Sequence, residues 1–337
     1  MKQSNIIKIG LVVLPFGMMI LGALSLIYSL NAPASKSREG GRSVLNVKVL
    51  STPDELKALV KRQAYDIGTR PWQDKDNTRI TAKWIESELG EENIGYRSRV
   101  TFIGDKGKDY RIIEVESPGE SLAEEVLLVV SNFSSPDSSP GANYNASSVS
   151  MFLGLARYFV NTKNARTIRF VACPSRFPDS DSGSILSTSY IAENCKREKE
   201  KLVGVVEIGS LGFFSEEPNS QSFPNNFDID FPATANFIAL IGSQSSHQSM
   251  NSFISGFTKS SNIPVQKVSL NDEEISAFDG LSVFTEKGYP VIRVSDTGAL
   301  RYTHHGKKTD TPDKINFYKM AEILKVLSLT ISTELNP

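Results

Sequence analysis

Residues 127–157 read LLVVSNFSSPDSSPGANYNASSVSMFLGLAR. The run Val126–Val130 is apolar and rich in β-branched residues, which predicts a buried strand. A loop of Ser, Pro, Asp and Gly follows, too polar for the inside of an element. From Ala146 or Ser147 an amphipathic helix begins, with Val149, Phe152, Leu153, Ala156 and Phe159 on one face. Strand ends and helix N-termini converge at such a junction, where α/β proteins place their ligand sites.

On the C-terminal side the same alternation continues. Strands are predicted at Thr167–Cys173, Leu202–Ile208, Phe237–Ile241, Val265–Leu270 and Val291–Ser295. Helices are predicted at Ser184–Asn194, Gln248–Thr258 and Ile315–Leu329, with an irregular loop at Pro174–Gly183 and a long polar one at Phe213–Pro232. On the N-terminal side, Ser51-Thr52-Pro53-Asp54-Glu55 starts a helix with a capping hydroxyl, an early Pro and acids in the first turn. That helix runs to about Tyr65 and stops at Gly68-Thr69-Arg70-Pro71. A second covers Asn77–Leu89, and Val100–Ile103 pairs with Tyr110–Glu116 as a hairpin. Strands alternating with helices predict an α/β fold, a three-layer α/β/α sandwich around a mixed, mostly parallel sheet, over residues 45–337.

Ahead of this domain, Ile9–Leu30 carries no charge and is long enough to span a bilayer as one helix. Ala32-Pro33-Ala34-Ser35 loosely resembles a signal cleavage site, but the apolar core is longer than a signal peptide needs. Residues 1–31 are therefore read as a single-pass membrane anchor or uncleaved signal, and 32–44 as a polar linker. Lys2 and Lys8 precede the span while Lys36, Arg38 and Arg42 follow it, so charge does not orient it. A net charge of −1 with no basic stripe argues against nucleic acid as a partner. Cys173 and Cys195 are read either as a pair or as two free buried thiols.

Several segments resemble the zinc aminopeptidases of the secreted bacterial type, the group that also holds glutaminyl cyclases and the transferrin-receptor ectodomain. The resemblance implies a zinc aminopeptidase-like fold and an extracytoplasmic domain. It also implies a two-zinc site at stated positions. Around Asn145-Ala146-Ser147-Ser148, a His ligand falls on Asn132, a supporting Asp on Ser134, and the bridging carboxylate on Tyr144. A Glu-Glu pair holding the general base falls on Ser180 and Asp181, by alignment through Gly183–Tyr190. Val206-Glu207-Ile208-Gly209 keeps a terminal ligand at Glu207. An Asp-His pair falls on Gly280 and Leu281. In the last motif the ligand His falls on Gly306 and a Tyr that holds the tetrahedral intermediate falls on His305.

Co-catalytic zinc needs imidazole and carboxylate ligands, a bridging carboxylate and a base acting on bound water. The chain has three histidines in all, His247, His304 and His305, and Lys307 and Lys308 stand beside the last motif. The expectation is a membrane-anchored domain without a zinc site or other cofactor, inactive as a peptidase, that binds or scaffolds an unidentified protein or peptide. Its cleft contacts would include Asn132, Tyr144, Glu207, His304 and His305, with Arg176 or Asp181 nearby. The alternative is an active zinc metallopeptidase with relocated ligands, which needs at least three of Asp179, Asp181, Glu207, His304, His305 and Asp310 to converge on one point at roughly 2.0–2.3 Å. A third reading, a domain kept for structure alone, predicts a cleft plugged by side chains. No Gly-X-Ser-X-Gly elbow supports a serine nucleophile.

Overall fold

The computed structural model describes residues 49–104, 110–179, 182–222, 231–271, 274–275 and 279–337. The anchor assigned to Ile9–Leu30 and the linker 32–44 lie outside them. Among the described residues no helix is long and apolar enough to cross a membrane.

Among the described residues, ten strands and seven α-helices carry the fold. Helix α1 (Pro53–Lys61) begins with a reciprocal cap: the Glu55 N–H donates to Thr52 Oγ1 at 3.2 Å, and the Thr52 N–H donates to Glu55 Oε2 at 2.7 Å. Helix α2 (Lys75–Leu89) is capped by Asp74, which accepts from the N–H groups of Asp76 and Asn77. Strands β1 (Arg99–Ile103), β2 (Tyr110–Ser117) and β3 (Leu122–Asn132) lead to helix α3 (Ser148–Phe159). Strand β4 (Arg166–Cys173) is followed by β5 (Arg176–Asp179), β6 (Gly183–Leu186), α4 (Ser187–Arg197) and β7 (Lys201–Ile208). The rest comprises β8 (Ile238–Ser243), α5 (His247–Ser260), β9 (Val265–Leu270), α6 (Asp279–Glu286), β10 (Val291–Ser295) and α7 (Phe317–Leu335).

Eight strands form one sheet in the order β1-β2-β4-β3-β7-β10-β8-β9. The centre is parallel, β4 with β3, β3 with β7, and β7 with β10, and β8 with β9 is parallel too. The N-terminal hairpin and the β10–β8 pair are antiparallel, so the sheet is mixed as expected. Successive side chains of a strand face opposite layers, which accounts for the unbroken apolar run in β3. Leu127 and Val129 enter the core covered by α1, α2, α3, α5 and α7, while Val126, Leu128 and Val130 enter the core under α4 and α6. The predicted three layers are present.

The structure differs from the sequence reading in several places, among them the last helix, expected at Ile315–Leu329 and found at Phe317–Leu335. Pro174–Gly183, expected as an irregular loop, contains the strand β5, which pairs antiparallel with β6 as a separate hairpin. Four residues interrupted by Pro178 carry no strand signal of their own; burial of Phe177 against Tyr190, ring centroids 6.1 Å apart, supplies it. The helix expected from Ser184 accordingly starts at Ser187. Helix α6 was not anticipated, since Gly280 and β-branched Val283 and Thr285 lower its intrinsic propensity; its buried Leu281 and Phe284 hold it on the sheet.

Candidate functional site

The carboxyl ends of the parallel strands meet the loops after β3, β4, β7 and β10 around a cavity of about 640 Å³. Asn132, Tyr144, Arg176, Glu207, Arg293 and His305 are among its lining residues, with Trp72, Leu186, Phe231, Ile241 and Val268 supplying apolar wall. Among the described residues, side chains do not fill this cleft.

Asn132 ends β3 and turns its Oδ1 back onto the chain, accepting the Ser134 N–H at 2.7 Å. The Ser134 Oγ in turn accepts the Ser175 N–H at 2.9 Å. Tyr144 sits in the wide helical turn Ala142–Ser147, which is non-helical at Tyr144 and Asn145 and has a cis peptide between them. Its ring stacks on His305 with centroids 4.4 Å apart and planes 25° from parallel.

Two buried carboxylates hold this turn. Asp310 accepts from the backbone N–H of Asn143 at 2.8 Å and of Tyr144 at 3.2 Å, and from the Tyr302 hydroxyl at 3.0 Å. Burial pushes its pKa above the usual aspartate value, and these hydrogen bonds oppose the push. Asp296 accepts from Asn143 Nδ2 and from the backbone N–H groups of Gly212, Phe213 and Gly298, all within 3.1 Å. Below them lies Arg70, fully buried, donating to the carbonyls of Gln63, Gly68, Phe133, Pro140 and Gly141. Desolvation lowers its pKa to about 10, so it remains cationic at neutral pH. Gly141 has φ +63°, and a Cβ there would stand 2.3 Å from the Tyr144 carbonyl oxygen, so the turn requires glycine.

Glu207 lies in β7 directly opposite Arg293 in β10. Arg293 donates through Nε to Oε2 at 3.2 Å and through Nη2 to Oε1 and Oε2, each at 3.0 Å. Among the described residues the buried Nδ1 of His305 has no hydrogen-bond partner, and burial depresses its pKa while Asp296 and Asp310 pull it upward. His304 points elsewhere, with Nδ1 2.8 Å from Thr309 Oγ1 and its ring edge-on to Tyr302. Gly306 is a positive-φ turn residue, and Lys307 and Lys308 are exposed. Asp179 receives the N–H and hydroxyl of Ser182 at the hairpin end. His247 contacts Lys267, 2.8 Å from its Nδ1. Ser180 and Asp181 lie outside the described residues. Among the described residues no group of three or more His, Cys, Asp or Glu side chains is placed to hold a metal ion.

The expected cleft residues Asn132, Tyr144, Glu207 and His305 thus share one cavity, and His304 does not join them. Arg293 was missed, although it is the sole charge in the strand VIRVS and so stood out in sequence. Arg70 and Asp296 were missed as supports, because burial of a charge is decided by distant segments.

This arrangement of sheet and helices is the fold of the zinc aminopeptidases and glutaminyl cyclases. Among solved structures the chain resembles BSAP, a zinc aminopeptidase from Bacillus subtilis, with TM-score 0.63 and 10% identity over 85% of this chain and 95% of that one. It also resembles Porphyromonas gingivalis glutaminyl cyclase, with TM-score 0.61 and 14% identity over 86% of this chain and all of that one. In sequence it is similar to YfbL of Escherichia coli, described as uncharacterized, at 22% identity over 81% of this chain and 86% of that protein. No family model matches the chain.

Proposed function

We propose that this chain is a peptidase-like domain without peptidase chemistry, whose open cleft binds a small polar ligand or a peptide terminus independently of zinc, and that Ile9–Leu30 tethers it to a membrane with the domain on the extracytoplasmic side. The observation that carries the reading is the engagement of Glu207, the retained ligand position, with the Arg293 guanidinium. A two-zinc centre needs open carboxylate and imidazole donors. Here Asn132 is turned onto Ser134, Tyr144 is stacked on His305, Gly306 has no side chain, and both oxygens of Asp310 accept hydrogen bonds. The donors among the described residues do not fit two zinc ions. What remains is an open cavity with aromatic, aliphatic and charged walls, the composition of a small-molecule or peptide-end site.

The test is zinc titration by calorimetry on the purified full chain, with an aminopeptidase and glutaminyl-cyclisation substrate screen alongside. The reading predicts no stoichiometric zinc binding tighter than millimolar and no turnover above a denatured control. One or two tightly held zinc ions with turnover would establish instead a metallopeptidase with relocated ligands.

A further inference from the structure

We propose that Arg293 is the cleft's built-in cation: its guanidinium balances the Glu207 carboxylate in the way a divalent ion balances a ligand carboxylate in a metal-dependent site. The inference rests on the zinc-independent reading above and gives the Glu207 carboxylate a partner that requires no metal ion.

The geometry is that of a fixed, largely buried pair and not of a surface contact. Glu207 and Arg293 are direct neighbours across the parallel β7–β10 pair, so strand register alone brings their side chains to the same face. Three hydrogen bonds of 3.0–3.2 Å join them, engaging both carboxylate oxygens. The side chains are only 13% and 21% exposed, so the attraction is little screened and either charge left alone would be costly. Charge on Glu207 is felt locally, for it contributes to raising the pKa of buried Cys173.

Gly280 closes the other side. A Cβ built on it would lie 2.5 Å from Glu207 Oε1 and 2.8 Å from Oε2. The carboxylate therefore occupies the space into which α6 would otherwise project a side chain, and Leu281, next along, is buried in the core. Glu207 is thus approached by glycine from the helix and by a fixed cation from the neighbouring strand. A guanidinium in this place neutralises charge and donates hydrogen bonds, but it has no open coordination position with which to activate water.

The experiment is chemical rescue of stability in the full chain. Arg293→Ala should lower Tm, and millimolar methylguanidinium or zinc ion should restore part of the loss, whereas neutral N-methylurea should not. Wild type should show no gain from either cation. The double variant Arg293→Ala/Glu207→Gln should regain Tm without added cation and lose the response. Should Arg293→Ala not fold, Arg293→Lys, which keeps a positive charge, should fold with a reduced Tm and no zinc response. An Arg293→Ala Tm equal to wild type overturns the proposal, as does rescue by N-methylurea equal to that by methylguanidinium or a cation response that survives in the double variant. A zinc-induced Tm gain in wild type itself would instead overturn the zinc-independent reading, so the two failures are distinguishable.

Discussion

His305 illustrates how a single side chain can be placed by stacking and remain chemically unsettled. Its ring lies on Tyr144 while its Nδ1 is buried with no partner among the described residues, and desolvation favours the neutral imidazole despite Asp296 and Asp310 nearby. The folded pKa is therefore below the ordinary value of 6.5. The unfolded chain binds a proton here at a pH where the native chain does not, so acidification through that window lowers stability. His305→Phe keeps the stack and removes the titration. Its stability relative to wild type is expected to be constant above about pH 7 and to improve progressively below about pH 6.5, as read from urea midpoints across that range. A pH-independent difference would show that the imidazole titrates alike in the folded and unfolded chains.

At the level of elements, the helix layer is set by close approach as much as by apolar area. Helix α5 packs on α7 where Gly256 meets Thr330: a Cβ at position 256 would stand 2.6–3.0 Å from the Thr330 Oγ1, Cγ2 and Cβ. Thr330 is buried and β-branched, with its hydroxyl donating to the Val326 carbonyl, so it has little room to rotate away. Gly256→Val should cost about 1–3 kcal/mol by overpacking, measured by chemical denaturation. Combining it with Thr330→Ala should recover part of that cost because the two sites are in contact. Additive effects would mean that the helices are not held apart by this pair.

Across the whole molecule, the two cysteines report on the sheet's second layer. Both are free and buried in the core beneath α4 and α6. Burial pushes Cys195 up to about 12 and Cys173 higher still, which favours the unreactive thiol at neutral pH. Thiol labelling by a disulfide reagent at neutral pH should therefore proceed only as fast as opening of this layer, and labelling in denaturant should be immediate. Fast native labelling of Cys195 alone would show that α4 opens independently of the sheet.

Most of the order of strands and helices, the junction after β3 and the buried face of α3 were legible in the sequence. These follow from local periodicity, capping residues such as Thr52 and Glu55, and runs like Val126–Val130 that one sheet can bury on both sides. It also placed Asn132, Tyr144, Glu207 and His305 in one cleft through motif positions. It did not yield the β5–β6 hairpin or α6, because both depend on packing partners far along the chain. Nor did it yield Arg293 as the neighbour of Glu207: residues 86 apart become partners through strand order and register, which only the folded sheet decides. The same holds for Arg70, a charged residue that is tolerated in the interior because five backbone carbonyls from separate segments converge on it.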